Sequence, residues 1–179
     1  MEKVTHSILT NDDGSPSVSE LALEIAKEFE QGPKGGHAEY VYICPTGYPT
    51  IGWGHVVLKG EKFNEPMTRE EADELLLKDM NKTAARVYNI LRREPSQDQF
   101  DALVSMAFNT GVGTKDGIKG DFADSTLLSY YEQGKDQLAA AEFGKWVYGR
   151  VKGKMVALAG LVRRRKAEAS LYATGTFTL

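Results

Sequence analysis

Apolar residues at Leu21, Ile25 and Phe29 recur at helical spacing, and Ser17-Val-Ser-Glu20 just before them reads as a capping box. Gln31-Gly-Pro-Lys-Gly-Gly36 ends that helix, because glycine caps a C-terminus and proline cannot continue one. The period then changes to two. Residues 40–44 and 49–58 are aromatic and β-branched runs with alternation, split by Pro45-Thr-Gly47, which predicts a hairpin in a small antiparallel sheet. Thr68-Arg-Glu-Glu71 is a second capping box, opening a long helix whose inner stripe is Leu75, Leu76, Met80, Ala84, Val87, Ile90 and Leu91. After Pro95-Ser96 a third helix carries Phe100, Leu103, Val104, Ala107 and Phe108, and Asn109-Thr-Gly-Val-Gly113 stops it. A polar glycine-rich loop, residues 113–121, leads to shorter helices at about 124–132 and 136–148. The last helix, about 155–173, carries Leu158, Leu161, Val162 and Leu171.

The layout is α+β: a helix, a small β-sheet lobe, a long connecting helix, and a larger all-helical lobe. Two lobes joined by one helix leave a cleft between them, where ligands prefer to sit. At 179 residues and 19.7 kDa the chain is long enough to bury a core unaided. Residues 1–16 read as an N-terminal extension with turn chemistry at Asn11–Pro16, and residues 17–179 as the folded domain. With 41% hydrophobic and 26% charged residues, composition excludes wholesale disorder.

A single cysteine cannot form an internal disulfide, no run of eighteen apolar residues is present, and the polar start lacks a secretory core. The expectation is a protein made and folded in a reducing cytoplasm. Charge is polarised. Residues 1–30 carry seven carboxylates against two lysines, and residues 144–179 carry eight cations against one glutamate. A basic end suits an anionic partner such as wall polymer, nucleic acid or membrane; a solvated helix face paired with the acidic end accounts for it equally well.

Candidate chemistry concentrates in Tyr42–His55, YICPTGYPTIGWGH, with Glu28 and Glu30 at the helix end upstream. Glycoside hydrolysis needs a proton donor to the leaving oxygen and a second group that places the nucleophile. Glu30 beside the sheet suits the donor, since partial burial lets a glutamate keep its proton. Glu28 and Glu39 compete for that role. Cys44 is either a buried strand residue or a cleft-facing group that holds water or a developing cation. Thr50 is either a strand threonine or a hydrogen-bonder of the attacking water. His55 is read first as a structural histidine, with Asp79 on the long helix as its partner. No metal-ligand spacing, phosphate-binding loop or Ser-nucleophile elbow is present, so neither metal nor cofactor is expected.

Three segments together resemble the phage-type lysozymes, the endolysin muramidases. They are Phe29-Glu30-Gln31-Gly32 with Tyr42–His55, then Gln99–Gly111 leading to Ser125-Thr-Leu-Leu128, then Trp146 with Gly160-Leu-Val-Arg-Arg-Arg-Lys-Ala-Glu168. They span nearly the whole chain. The spacing from Glu30 to Cys44 is longer than the family's usual one, the added residues lying in Pro33–Glu39.

The resemblance implies a lysozyme-like fold and cleavage of the β-1,4 bond between N-acetylmuramic acid and N-acetylglucosamine in peptidoglycan, without cofactor. It makes Glu30 the general acid and puts Cys44 at the Asp/Cys position, with Thr50 completing the triad. His55 and Asp79 match a structural pair, and Asn109 and Trp146 match residues lining the large-lobe side of the cleft. It also implies a monomer whose partner is peptidoglycan, not nucleic acid. Such an enzyme is held in the host cytoplasm until a separate membrane-pore protein lets it reach the periplasm. The basic last helix, Arg163–Lys166, is a candidate contact for anionic outer-membrane lipid. A lytic transglycosylase cutting the same bond, and a noncatalytic wall-binding module, are the alternatives.

Overall fold

The computed structural model describes residues 8–117 and 120–179. Eleven elements follow one another among them: α1 (Glu20–Phe29), β1 (Ala38–Ile43), β2 (Pro49–Gly52), β3 (His55–Val56), α2 (Arg69–Ile90), α3 (Gln97–Thr110), α4 (Thr126–Glu132), α5 (Asp136–Phe143), β4 (Tyr148–Val151), β5 (Lys154–Ala157) and α6 (Ala159–Thr174). The first three strands form one antiparallel sheet in the order β1-β2-β3, and β4 and β5 form a separate hairpin.

α3 is the axis of the helical lobe, with every residue from Phe100 to Ala107 buried, and it packs against α6, α2 and α1. Its start is set by Ser96 and Gln99, which form a reciprocal capping box, as Thr68 and Glu71 do for α2. α2 links the lobes. β2 and β3 pack on it, and its buried residues Ala72, Leu76, Met80, Ala84 and Val87 belong to a core continuous with Ile51, Phe100, Leu127, Tyr131 and Leu171.

The α+β, lysozyme-like expectation holds, with local corrections. The cap of α1 is Ser19, not Ser17: its Oγ accepts from Leu21 N–H and donates to buried Asp101 at 2.5 Å, tying α1 to α3. The run 49–58 is two strands, because Trp53-Gly54 turns the chain with Gly54 at φ +85°. The helix expected to reach residue 148 stops at Phe143, and the last one begins at Ala159, with the β4–β5 hairpin between them. That hairpin turns at Lys152 (φ +48°) and Gly153 (φ +82°), the left-handed pair of a two-residue β-turn. Both its faces are largely exposed, so its sequence carries no in–out alternation.

Part of the extension expected at residues 1–16, namely residues 1–7, lies outside the described residues, as do residues 118 and 119 of the 113–121 loop. From Ile8 onward the N-terminal segment lies against α2 and α3. Ile8 joins the core, Leu9 N–H donates to Gln97, and Asn81 of α2 donates to Asn11.

Candidate active site

α1 ends at Phe29, leaving Glu30 as its C-cap where the sheet meets the helical lobe. On the sheet side is the β2–β3 turn: a Cβ built on Gly54 would lie 3.4 Å from Glu30 Oε2. On the helical side, Nη1 of Arg164 donates to Glu30 Oε1 at 2.5 Å. The Glu30 side chain is 25% exposed and that of Arg164 only 2%.

Arg164 is fully employed. Its Nε donates to Glu168 Oε1 at 3.0 Å and its Nη2 to the carbonyl of Ser105 at 3.2 Å, while the Ser105 hydroxyl donates to the same Glu168 oxygen at 2.7 Å. Arg165 sets Nη1 at 2.8 Å from Glu168 Oε2 as an ion pair without hydrogen-bond alignment, and its Nη2 donates to Asn109 Oδ1. Two guanidinium groups, the buried Glu168 and the partly exposed Glu30 thus form one connected chain running from Asn109 to the site. Buried charges persist only when paired in this way.

Arg164 and Arg165 are both 1% exposed, which corrects their reading as charges spread over a surface helix. Only Arg163 and Lys166 of that run face outward, and Arg163 pairs with Glu28 at 3.1 Å. Glu28 is thereby directed along the outside of α6. Glu39 is exposed on β1, where it lines a surface cavity of about 280 Å³ with Pro33, Lys34, His37 and Tyr40. The longer loop after α1 builds that cavity.

Across the sheet, Tyr42 and Thr50 are cross-strand partners, so their side chains share a face with that of Cys44, two residues on from Tyr42. Burial, followed by the charges of Cys44 and Glu30, pushes the Tyr42 hydroxyl above its ordinary value. Thr50 is buried and donates its hydroxyl to Tyr48 O at 3.0 Å. Cys44 Sγ lies 3.0 Å from Thr46 Oγ1. Hydrogen bonds from Thr46, then Thr50, then the Tyr48 backbone hold the thiol down to about 6. Cys44 is therefore more acidic than an ordinary thiol, at the position where the resemblance allows aspartate or cysteine.

Glu30 thus stands at the end of α1 beside the β2–β3 turn, and Cys44 and Thr50 lie on the β1–β2 hairpin of the same sheet. His55 and Asp79 form a separate support: Nδ1 of His55 lies 2.5 Å from Asp79 Oδ2, and Nε2 lies 3.0 Å from Glu61. Trp146 packs, partly buried, against the core of the helical lobe, and Asn109 reaches the site only through Arg165. Sequence reasoning missed Arg164 and Tyr42 as site residues. A signal for Arg164 existed, since Leu161, Arg164, Glu168 and Leu171 recur at helical spacing on one stripe.

Residues 33–168 match the phage lysozyme family. The chain belongs to that family. With the family comes its chemistry, the hydrolysis of peptidoglycan by a glycosidase. The endolysin of Acyrthosiphon pisum secondary endosymbiont phage 1 is 32% identical over 155 residues, 87% of this chain and 97% of that protein. The endolysin of Bacillus phage B103 is 35% identical over 89% of this chain, which spans about half (55%) of that longer protein. Among solved structures, the endolysin from Escherichia coli O157:H7 phage FAHEc1 superposes with a TM-score of 0.76 at 30% identity, covering 96% of this chain and 100% of its own. The muramidase domain of SpmX from Asticaccaulis excentricus gives 0.72 at 32%, covering 88% and 97%. This phage lysozyme has no helix among its described residues long and apolar enough to cross a membrane.

Proposed function

We propose that this phage lysozyme hydrolyses the β-1,4 bond between N-acetylmuramic acid and N-acetylglucosamine, with Glu30 as the acid and with Cys44 and Thr50 acting on the opposite face of the sugar. The observation that carries this is the placement of Glu30 between Arg164 and Gly54, beside the sheet whose β1–β2 hairpin carries Cys44 and Thr50. The matched family region begins at residue 33, so the role of Glu30 rests on this geometry and on the motif around it.

Arg164 holds the Glu30 carboxyl through Oε1, which leaves Oε2 to carry the proton to the glycosidic oxygen. As that bond breaks, positive charge grows on the sugar, and an anionic sulfur on its other face stabilises it. Thr50 and the Cys44 thiolate then position water for attack. The enzyme reaches the wall, on this reading, from the host cytoplasm through a hole made by a separate membrane-pore protein, and it acts as a monomer. Lipid contact by the last helix would be left to Arg163 and Lys166.

The test is release of reducing ends from purified peptidoglycan. Glu30→Gln should abolish release while thermal melting shows a folded protein; a variant that keeps most activity moves the acid to Glu28 or Glu39. Product masses complete the test. Hydrolysis leaves a reducing muramic end, whereas products lighter by one water would make the protein a transglycosylase.

A further inference from the structure

The β4–β5 hairpin exposes side chains that a packing role would bury. Tyr148 and Met155 are each 59% exposed, and Val151 and Val156 are exposed as well. The register pairs Tyr148 with Ala157 and Arg150 with Met155, so Tyr148, Arg150 and Met155 share one face. Gly149, Val151, Lys154 and Val156 share the other face, which is approached only at its base, where a Cβ at Gly149 would come within 2.6 Å of Leu158. Toward the turn both faces meet solvent, so Arg150 on one and Lys154 on the other flank an exposed tip. At the turn stand Lys152 and Lys154. Among the described residues neither they nor Arg150 take part in an ion pair, and no carboxylate occurs in the sequence from Phe143 to Ala167.

This cationic and partly apolar arm lies near the site. Leu158 closes the hairpin and precedes Arg164 by six residues, about 9 Å along α6 at 1.5 Å per residue. The glycan of peptidoglycan is neutral where its muramic carboxyls are acylated, so the free carboxylates of the polymer sit on its peptide stems. A guanidinium and two ammonium groups match those carboxylates, and Tyr148 and Met155 offer apolar surface to the stem side chains.

We propose that the β4–β5 hairpin is an accessory binding arm that grips the peptide stems of peptidoglycan through Arg150, Lys152 and Lys154. The inference rests on the peptidoglycan reading above and deepens it.

The experiment measures co-sedimentation of Glu30→Gln protein with purified peptidoglycan, before and after its free carboxylates are amidated with carbodiimide and ammonia. The comparison protein carries Arg150→Gln, Lys152→Gln and Lys154→Gln in the same background, with melting curves to confirm that both are folded. The triple variant should bind native wall about tenfold more weakly, the sum expected of three modest exposed pairs. Amidation should bring the parent down to the same level. In the active protein the three substitutions should raise KM and leave kcat unchanged. Equal binding of both proteins to native wall overturns the proposal, as does a deficit of the same size on amidated wall. Tighter, hairpin-dependent binding to phosphatidylglycerol vesicles than to wall also overturns it, in favour of a lipid surface. Failure of the catalytic reading shows separately, as reducing-end release that survives Glu30→Gln.

Discussion

Arg164 donates Nη1–H to Oε1 of Glu30 at 2.5 Å, joining the last long helix to the end of the first. The same guanidinium is committed to Glu168 and to the Ser105 carbonyl, so the site carboxyl is anchored to the helical lobe and not to the sheet.

Arg164→Lys tests this anchor. An ammonium keeps the charge but cannot serve three acceptors fixed in a fork, so one of the Glu30, Glu168 and Ser105 contacts is lost. We expect a loss of about 3 kcal/mol, the low end for damaged buried ion pairs, and a fall in kcat of more than about tenfold. Denaturant melts and initial rates measure the two effects; a variant with parental kcat would show that the anchor serves stability alone.

Cys44 is expected to set the acid side of the pH profile. Its thiol is held down to about 6, chiefly by Thr46 and then Thr50, so the thiolate is present above that pH and lost below it. If the anion takes part, kcat/KM declines as pH falls through about 6. Cys44→Asp should stay active and move that limb toward the ordinary carboxylate range, about 4. Cys44→Ser, with no accessible anion, should be poorly active at every pH. An unchanged acid limb in all three proteins assigns the limb to another group.

Much of the fold was legible because its helices obey local rules. The Thr68–Glu71 box and Ser96 at the start of α3 are where capping chemistry puts them, and the buried residues of α2 follow the 3.6 period. The β4–β5 hairpin was not legible, since neither face is buried and burial is what imprints alternation on a strand. The candidate site was legible in the turn-rich segment Tyr42–His55, which holds Cys44 and Thr50. It was hidden where a charged residue occupies an apolar position: Arg164 and Arg165 look like surface charge in the sequence, and only tertiary pairing with Glu168 and Glu30 makes their burial tolerable.

The His55–Asp79 pair carries a pH-dependent share of stability. Its hydrogen bond to Asp79 raises His55 above the ordinary 6.5 against the lowering effect of burial. Burial pushes Asp79 up, but bonds from His55 and Lys82 outweigh it and leave the group below 3.8. A raised histidine contributes fully below its unfolded pKa and loses that contribution as pH rises through the folded value. A depressed aspartate contributes above its unfolded pKa and loses that as pH falls. The pair should therefore stabilise most between about 4 and 6.5. Asp79→Asn should cost about 3 kcal/mol at pH 5.5 and less at pH 9. Urea melts at the two pH values check the difference, and a cost independent of pH would reduce the contact to packing.

Gly54 makes the last case, because its requirement is double. Its φ of +85° disfavours any L side chain, and the Cβ of alanine would arrive 3.4 Å from Glu30 Oε2. Gly60 shares the first feature, with φ +91°, but has open space around it. Gly54→Ala and Gly60→Ala should each cost about 1–2 kcal/mol from backbone strain. Only Gly54→Ala should also lower kcat, because the added methyl lies in van der Waals contact with the carboxyl oxygen left free by Arg164 and takes space the glycosidic oxygen needs, and small misplacements of a reacting group are costly. Parallel melts and reducing-end assays separate the terms. Equal activity in the two variants would mean that the β2–β3 turn yields, and that the position of Glu30 is set by Arg164 alone.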